Sequence, residues 1–293
     1  MRKHTSLLTA RNAGLVQRYR AIARHYWEKL LTNTLGRISI TSRGRRLRSF
    51  VNGLSGPRPH PNVRVAIVAH VYYVDLADEI VNLRNIFPSL VPVYLTVPKE
   101  NLRDLTAIVA ARPNVFLHAY ENRGRDILPF LQLLGSGALD SYDAVLKLHT
   151  KRSPHLIDGD LRRRLLFAML CGERNATYRA IKAFEEEDTG LVGWQDCYRT
   201  DPIYWMANQH RVSEICSRMQ ASEFMELGFF EGSMFWFRPA AFDALRQLNI
   251  LPHEFEAEAG QLDGTLHHAV ERCFTIAARA EGFKVRNLRG GEL

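Results

Sequence analysis

Three potentially cationic residues, Lys147, His149 and Lys151, alternate at the end of an apolar run that begins Ala144-Val145-Leu146. In an extended strand alternate residues share a face, so this spacing puts all three side chains on one side. Burying them without an anion is unfavourable, and a phosphate-bearing ligand would satisfy them. A solvated edge strand is the alternative, and the apolar lead-in argues for a central strand. A second cationic group surrounds Gly124 in Asn122-Arg123-Gly124-Arg125-Asp126. Glycine permits a sharp turn or a positive φ. The planar forks of Arg123 and Arg125 suit a diphosphate, and Asp126 is placed to cap the helix that follows. An ordinary capped turn would have the same composition. A third group, His70, Tyr72 and Asp75, has the rings and polar atoms to stack on a base and bind a ribose, although a satisfied turn explains it equally.

Asp263, His267 and Glu271 are spaced i, i+4 and i+8. They share one face if a helix starts early enough. A carboxylate at a substrate-facing helix start is suited to general-base work, while a plain polar helix face accounts for the spacing as well. Gly232 and Ser233 open the apolar run 231–237, where small residues let backbone or substrate approach closely. With Trp236 they are assigned to the acceptor side.

The elements that must position these groups follow an alternating pattern. Strands are predicted at 63–69, 91–97, 115–120 and 144–148. Helices are predicted at 75–87, ended by Pro88, at 101–111 with Asn101 as a cap, and at 126–134. Further on, 190–193 and 231–237 read as strands, and Arg238-Pro239 opens a helix. A helix over 265–280 has Leu266, Val270, Phe274 and Ala277 as its buried stripe. Alternation of this kind implies an α/β fold with a mostly parallel sheet flanked by helices. Ligands of such sheets sit at the carboxyl ends of the strands, where the cationic groups lie.

Composition sets the wider frame. Apolar residues make up 46% of the 293 and charged residues 24%, enough for a sizeable core. The formal charge of +8 is unevenly placed. Residues 1–59 hold 13 Lys and Arg against the single acid Glu28, so the remaining chain has 26 bases and 30 acids. A domain boundary is therefore set near 60, dividing a basic helical segment (1–60) from the main domain (61–293). The basic helix, predicted over 6–35, would lie on an anionic membrane surface, pack on the main domain, or contact nucleic acid. Few aromatics interleave with its arginines, so nucleic acid is not an expected partner. No run of 18 apolar residues marks a spanning helix, and no secretory signal is expected. Cys171, Cys197, Cys216 and Cys273 form no Cys-x-x-Cys pair, which points away from zinc ribbons and toward reduced cytosolic thiols.

Four separated segments together resemble one family. These are Asn122-Arg123-Gly124-Arg125-Asp126, the strand end from Lys147 to Lys151, the stretch from Gly232 to Trp236 with Arg238-Pro239, and the helix start from Asp263 to Arg272. In this order they resemble the rhamnan synthesis protein F family over roughly residues 63–285. The resemblance implies a role in bacterial cell-surface polysaccharide or lipopolysaccharide assembly. The order of elements is also similar to GT-A (Rossmann-like) glycosyltransferases of the family-2 type. That comparison places Asn122 in an Asn-x-Gly turn and makes Asp263 the catalytic base, with Glu271 second. His149-Thr150-Lys151 stands where two metal-binding aspartates are usual, which disfavours a divalent cation and implies no cofactor. A nucleotide-sugar donor such as dTDP-rhamnose and a glycan or lipid-linked glycan acceptor are what the resemblance implies, and with the basic N-terminal segment they suit a cytoplasmic protein peripheral to the inner face of the cytoplasmic membrane. A non-catalytic nucleotide-sugar or glycan-binding module is the alternative.

Overall fold

Apolar runs broken by turns and short helices give the chain its strands, and the strand at the centre of the sheet, Ala144–His149, is buried along its whole length. A computed structural model describes residues 62–293 apart from 88–89, 111, 151–158 and 173. The predicted basic helix, the boundary near 60 and Lys151 lie outside the described residues.

Strands β1 (Val65–His70), β2 (Val93–Pro98), β3 (Val115–Tyr120) and β4 (Ala144–His149) run parallel in the order β3-β2-β1-β4. Every residue of β4 is buried, as expected of a strand covered on both faces. The sheet continues with β8 (Phe235–Phe237), β5 (Thr189–Gly193) and β9 (Lys284–Asn287). β8 is antiparallel to both β4 and β5, while β5 and β9 are parallel. A two-stranded ribbon, β6 (Tyr198–Arg199) with β7 (Phe229–Phe230), stands apart from this sheet. The architecture is α/β, with a mostly parallel seven-stranded sheet flanked by helices.

Strand alternation divides the core in two. On one face Ala66, Val68 and Val145 pack with helix α3 (Ile127–Gly135), α6 (Gln209–Arg218), α7 (Asp243–Gln247) and α8 (Leu266–Ala280). On the other, Ile67, Leu146 and Leu148 pack with α1 (Ala77–Asn82), α2 (Leu102–Val109), α4 (Gly159–Cys171) and α5 (Arg174–Lys182). The expected stripe of α8 is buried: Leu266, Val270, Phe274 and Ala277 all face the first core. Phe130, Phe235 and Phe274 meet edge-to-face there, with centroids 5.4 to 5.7 Å apart. Each such pair contributes about 0.5–1.5 kcal/mol beyond area burial.

Three expectations need correction. The helix predicted over 75–87 is broken into the 3-10 turns Val74–Leu76 and Leu83–Ile86 on either side of α1. Asn101 sits at the α2 N-cap without capping it, because its amide is turned to donate to the Tyr72 carbonyl at 2.9 Å. The run 231–237 is not one strand. β8 begins at Phe235, and Gly232 and Ser233 form a turn with φ of 94° and 52°, which is incompatible with an extended ladder. All four cysteines are free and buried. No helix among the described residues is long and apolar enough to cross a membrane.

Candidate functional site

The strand order reverses between β1 and β4, since β2 and β3 lie to one side of β1 and β8 to the other. In open parallel sheets this switch point leaves a crevice at the carboxyl ends. His70 and His149 are partners in register there. Because β8 is antiparallel, the turn that precedes it, Gly232-Ser233, arrives at the same edge.

Lys147 lies one pleat below His149 on the same face and is 2% exposed. Its ammonium donates to Asp126 Oδ2 at 2.6 Å, to Ser233 O at 2.9 Å and to Ser233 Oγ at 2.9 Å. An ammonium has three donors, so each has a partner within the chain. Phe130, Phe235 and Phe274 surround it, with the Phe130 centroid 5.1 Å away. The anion that Lys147 was expected to need is therefore Asp126, not a bound phosphate. Burial alone would push the Asp126 carboxyl up. The charge and hydrogen bond of Lys147, with His149 and His70 nearby, outweigh that and hold it well below the usual carboxylate range. Asp126 occupies the N-cap position of α3 but makes no side-chain cap bond, because its carboxylate is turned to Lys147.

His149 Nε2 donates to the Gly232 carbonyl at 2.7 Å. The Gly232 amide in turn donates to Glu271 Oε1 at 3.1 Å. His70 bonds the Thr96 hydroxyl at 3.1 Å. Burial lowers its pKa to about 4, partly opposed by Asp126 and reinforced by His149 and Lys147. Thr150, which sequence reasoning passed over, accepts the Tyr72 and Tyr73 amides at 3.0 and 3.1 Å. It thereby ties the turn after β1 to the end of β4 and leaves the Tyr72 ring 47% exposed. Asp75 is exposed in the next 3-10 turn, on the same segment. The only signal for Thr150 was its position between His149 and Lys151.

The arginine turn is built differently. Gly124 has φ of 61°, and a Cβ there would come within 2.6 Å of the Phe255 ring, so glycine is required twice over. Arg123 donates to the Phe255 carbonyl at 3.0 Å. Arg125 pairs with both Glu258 oxygens at 3.0 and 3.1 Å and with the Gln261 carbonyl at 2.6 Å. Both guanidinium groups anchor the 255–261 segment rather than reaching out from the turn. Asn122 precedes them in the exposed part of the turn.

The helix expected to align Asp263, His267 and Glu271 starts at Leu266, with Thr265 as its N-cap residue. Asp263 therefore lies outside it, and only His267 and Glu271 share a helical face. Asp263 accepts the Ala207 amide at 2.9 Å and the Asn208 side-chain amide at 2.7 Å, with Arg272 3.8 Å away. Burial opposes ionisation, but these partners prevail and hold its carboxyl below the usual value. His267 is buried beside Thr265, and burial with the nearby Arg125 charge lowers its pKa to about 4. Trp236 is fully buried, donates to the Leu170 carbonyl at 3.0 Å and pairs in register with Leu146. It is a core residue, not an acceptor-side one. Among the described residues no three His, Cys, Asp or Glu side chains are grouped to hold a metal ion.

This is an α/β protein whose buried ion pair and clamped turn converge on the switch point of a mostly parallel sheet. The model of the family described as "Rhamnan synthesis protein F" matches residues 47–283, and the chain belongs to that family. The assignment connects it with rhamnan and polysaccharide synthesis. The chain is also 31% identical over 223 residues to "Uncharacterized protein WxcX" of Xanthomonas campestris pv. campestris, in strains B100 and ATCC 33913. That alignment covers 75% of this chain and 32% of each relative. The chain thus spans about a third of the length of the curated relatives it matches. No solved structure matches it.

Proposed function

We propose that this chain is a glycosyltransferase domain of GT-A-like architecture. In this reading it transfers a sugar, a deoxyhexose such as rhamnose, from a nucleotide-activated donor to a glycan or lipid-linked glycan. One observation carries the reading. The four motif segments, far apart in sequence, are joined at the switch point by hydrogen bonds, Asp126 to Lys147 to Ser233 and His149 to Gly232 to Glu271. A family tied to rhamnan synthesis agrees with such a site.

Transfer requires charge stabilisation on the departing nucleoside diphosphate and removal of a proton from the acceptor hydroxyl. Glu271 is the base in this reading. Its carboxylate is oriented by the Gly232 amide and faces the turn. Asp263 is a weaker candidate because three partners stabilise its ionised form. The acceptor oxygen bonds to the anomeric carbon as the bond to the phosphate oxygen breaks, with inversion, and the proton passes to Glu271. Lys151, just beyond the end of β4, is assigned to the leaving diphosphate together with His149, in place of Lys147, and no divalent cation is used. Glu271→Gln should lower turnover by about 10²- to 10⁴-fold, with Asp263→Asn within a few-fold of wild type; the reverse order moves the base. Activity lost in chelator and restored by Mn²⁺ or Mg²⁺ rejects the metal-free mechanism.

The non-catalytic module is the second reading. It is favoured by the internal partners of Arg123, Arg125 and Lys147, which leave fewer cations for a diphosphate. Donor hydrolysis or transfer by the purified chain separates the two. Residues 1–59 would hold the protein at the anionic inner face of the cytoplasmic membrane. Their deletion should weaken binding to anionic liposomes, and unchanged binding removes that role.

A further inference from the structure

Gly232 and Ser233 both have positive φ, 94° and 52°. Glycine takes this conformation freely, whereas a serine there is strained and persists only where its surroundings hold it. The hold comes from β4 and α8. Lys147 grips Ser233 through its carbonyl and its hydroxyl, and His149 grips the Gly232 carbonyl. The Gly232 amide is thereby left pointing at Glu271. Lys147 is fixed in turn by Asp126 and by the rings of Phe130, Phe235 and Phe274. With every donor used and 2% exposure, it cannot reach a phosphate without breaking the pair.

We infer that Lys147 is a positioning residue that, through the strained Ser233, sets the Gly232 amide that aims Glu271. The inference rests on the base role given to Glu271 above. Asp126 acts one step further back by holding the ammonium. Ser233 is the link, since its hydroxyl and carbonyl are both bound by the one lysine.

The test compares wild type, Ser233→Ala and the neutral double variant Lys147→Met/Asp126→Leu of the full chain. Two properties are followed: the Gly232 amide resonance in ¹⁵N-labelled protein across pH, and transfer kinetics. In the wild type the amide should titrate with the carboxylate that it bonds. The double variant should abolish that titration and lower kcat by about 10²-fold with donor KM unchanged, as expected when a reacting group is misaimed. Ser233→Ala, which keeps the charge pair, should move the amide in the same direction with a loss of roughly 10-fold. If the double variant does not fold, Ser233→Ala alone decides. An unmoved Gly232 amide in a folded variant overturns the inference, as does a rise in donor KM with kcat intact, the mark of a phosphate ligand. A wild-type chain that turns over no nucleotide sugar defeats the glycosyltransferase reading instead, and the amide measurement still decides the positioning.

Discussion

The strand end at Lys147 and the turn at Arg123 to Arg125 have a similar appearance in sequence: potentially cationic residues at alternate positions, next to a strand terminus. They differ in what satisfies them. Lys147 is in the core, held by a carboxylate 21 residues earlier and a turn 86 residues later. Arg125 is at the surface, paired with a Glu258 side chain that is 39% exposed. The lysine is therefore tied to core stability and to site geometry, and the arginine to the placement of one loop.

The largest test of that difference is Lys147→Met. Leaving Asp126 buried and unpaired should cost about 3–5 kcal/mol in urea unfolding, most of which the added Asp126→Leu change should restore. An equal loss in single and double variants would show that packing, not charge, dominates. Next comes pH. The His70 pKa is about 4 in the folded protein and roughly 6.5 when unfolded. The unfolded chain therefore binds more protons between these values. Stability is full above about pH 6.5 and falls as pH drops toward 4, by up to about 3 kcal/mol from His70. His70→Gln should flatten the difference between unfolding at pH 7 and at pH 4.5. His267 has the same sign, whereas the Asp126 contribution, with its folded pKa lowered, should be lost only at more acid pH. The smallest effect belongs to the surface cluster. Arg125→Ala should change stability by about 1 kcal/mol or less, and less still in high salt. A loss as large as that of Lys147→Met would erase the distinction.

The strands were legible because β1, β2 and β4 are buried on both faces and read as continuous apolar runs. The α8 stripe was legible for the same local reason. The turn at Gly232-Ser233 was not, because small residues inside an apolar run fit a strand start as well as a left-handed turn. That Lys147 and His149 share a face was also readable, from alternation alone. Their partners were not: Asp126, Ser233 and Gly232 reach them only through the packing of α3 on β4 and the reversal of β8. The start of α8 was read to within one residue, and Asp263 would have shared the face of Glu271 only had the helix begun earlier. Trp236 looked like a site residue only by proximity to Gly232, and alternation along β8 sends it into the second core.

The reversal of β8 has a consequence for how such a protein can diversify. A parallel strand offers the crevice only the loop that leaves it, and that loop must lead into a crossover helix of constrained length. β8 instead offers the segment that enters it, running from α6 through the ribbon strand β7 to Gly232. That approach segment is pinned to the first core, where Met219 and Ala221 are buried and the Thr275 hydroxyl donates to the Gly228 carbonyl. A change in its length reaches the turn at Gly232 and leaves the register of β1, β2, β3 and β4, on the far side of β8, as it is.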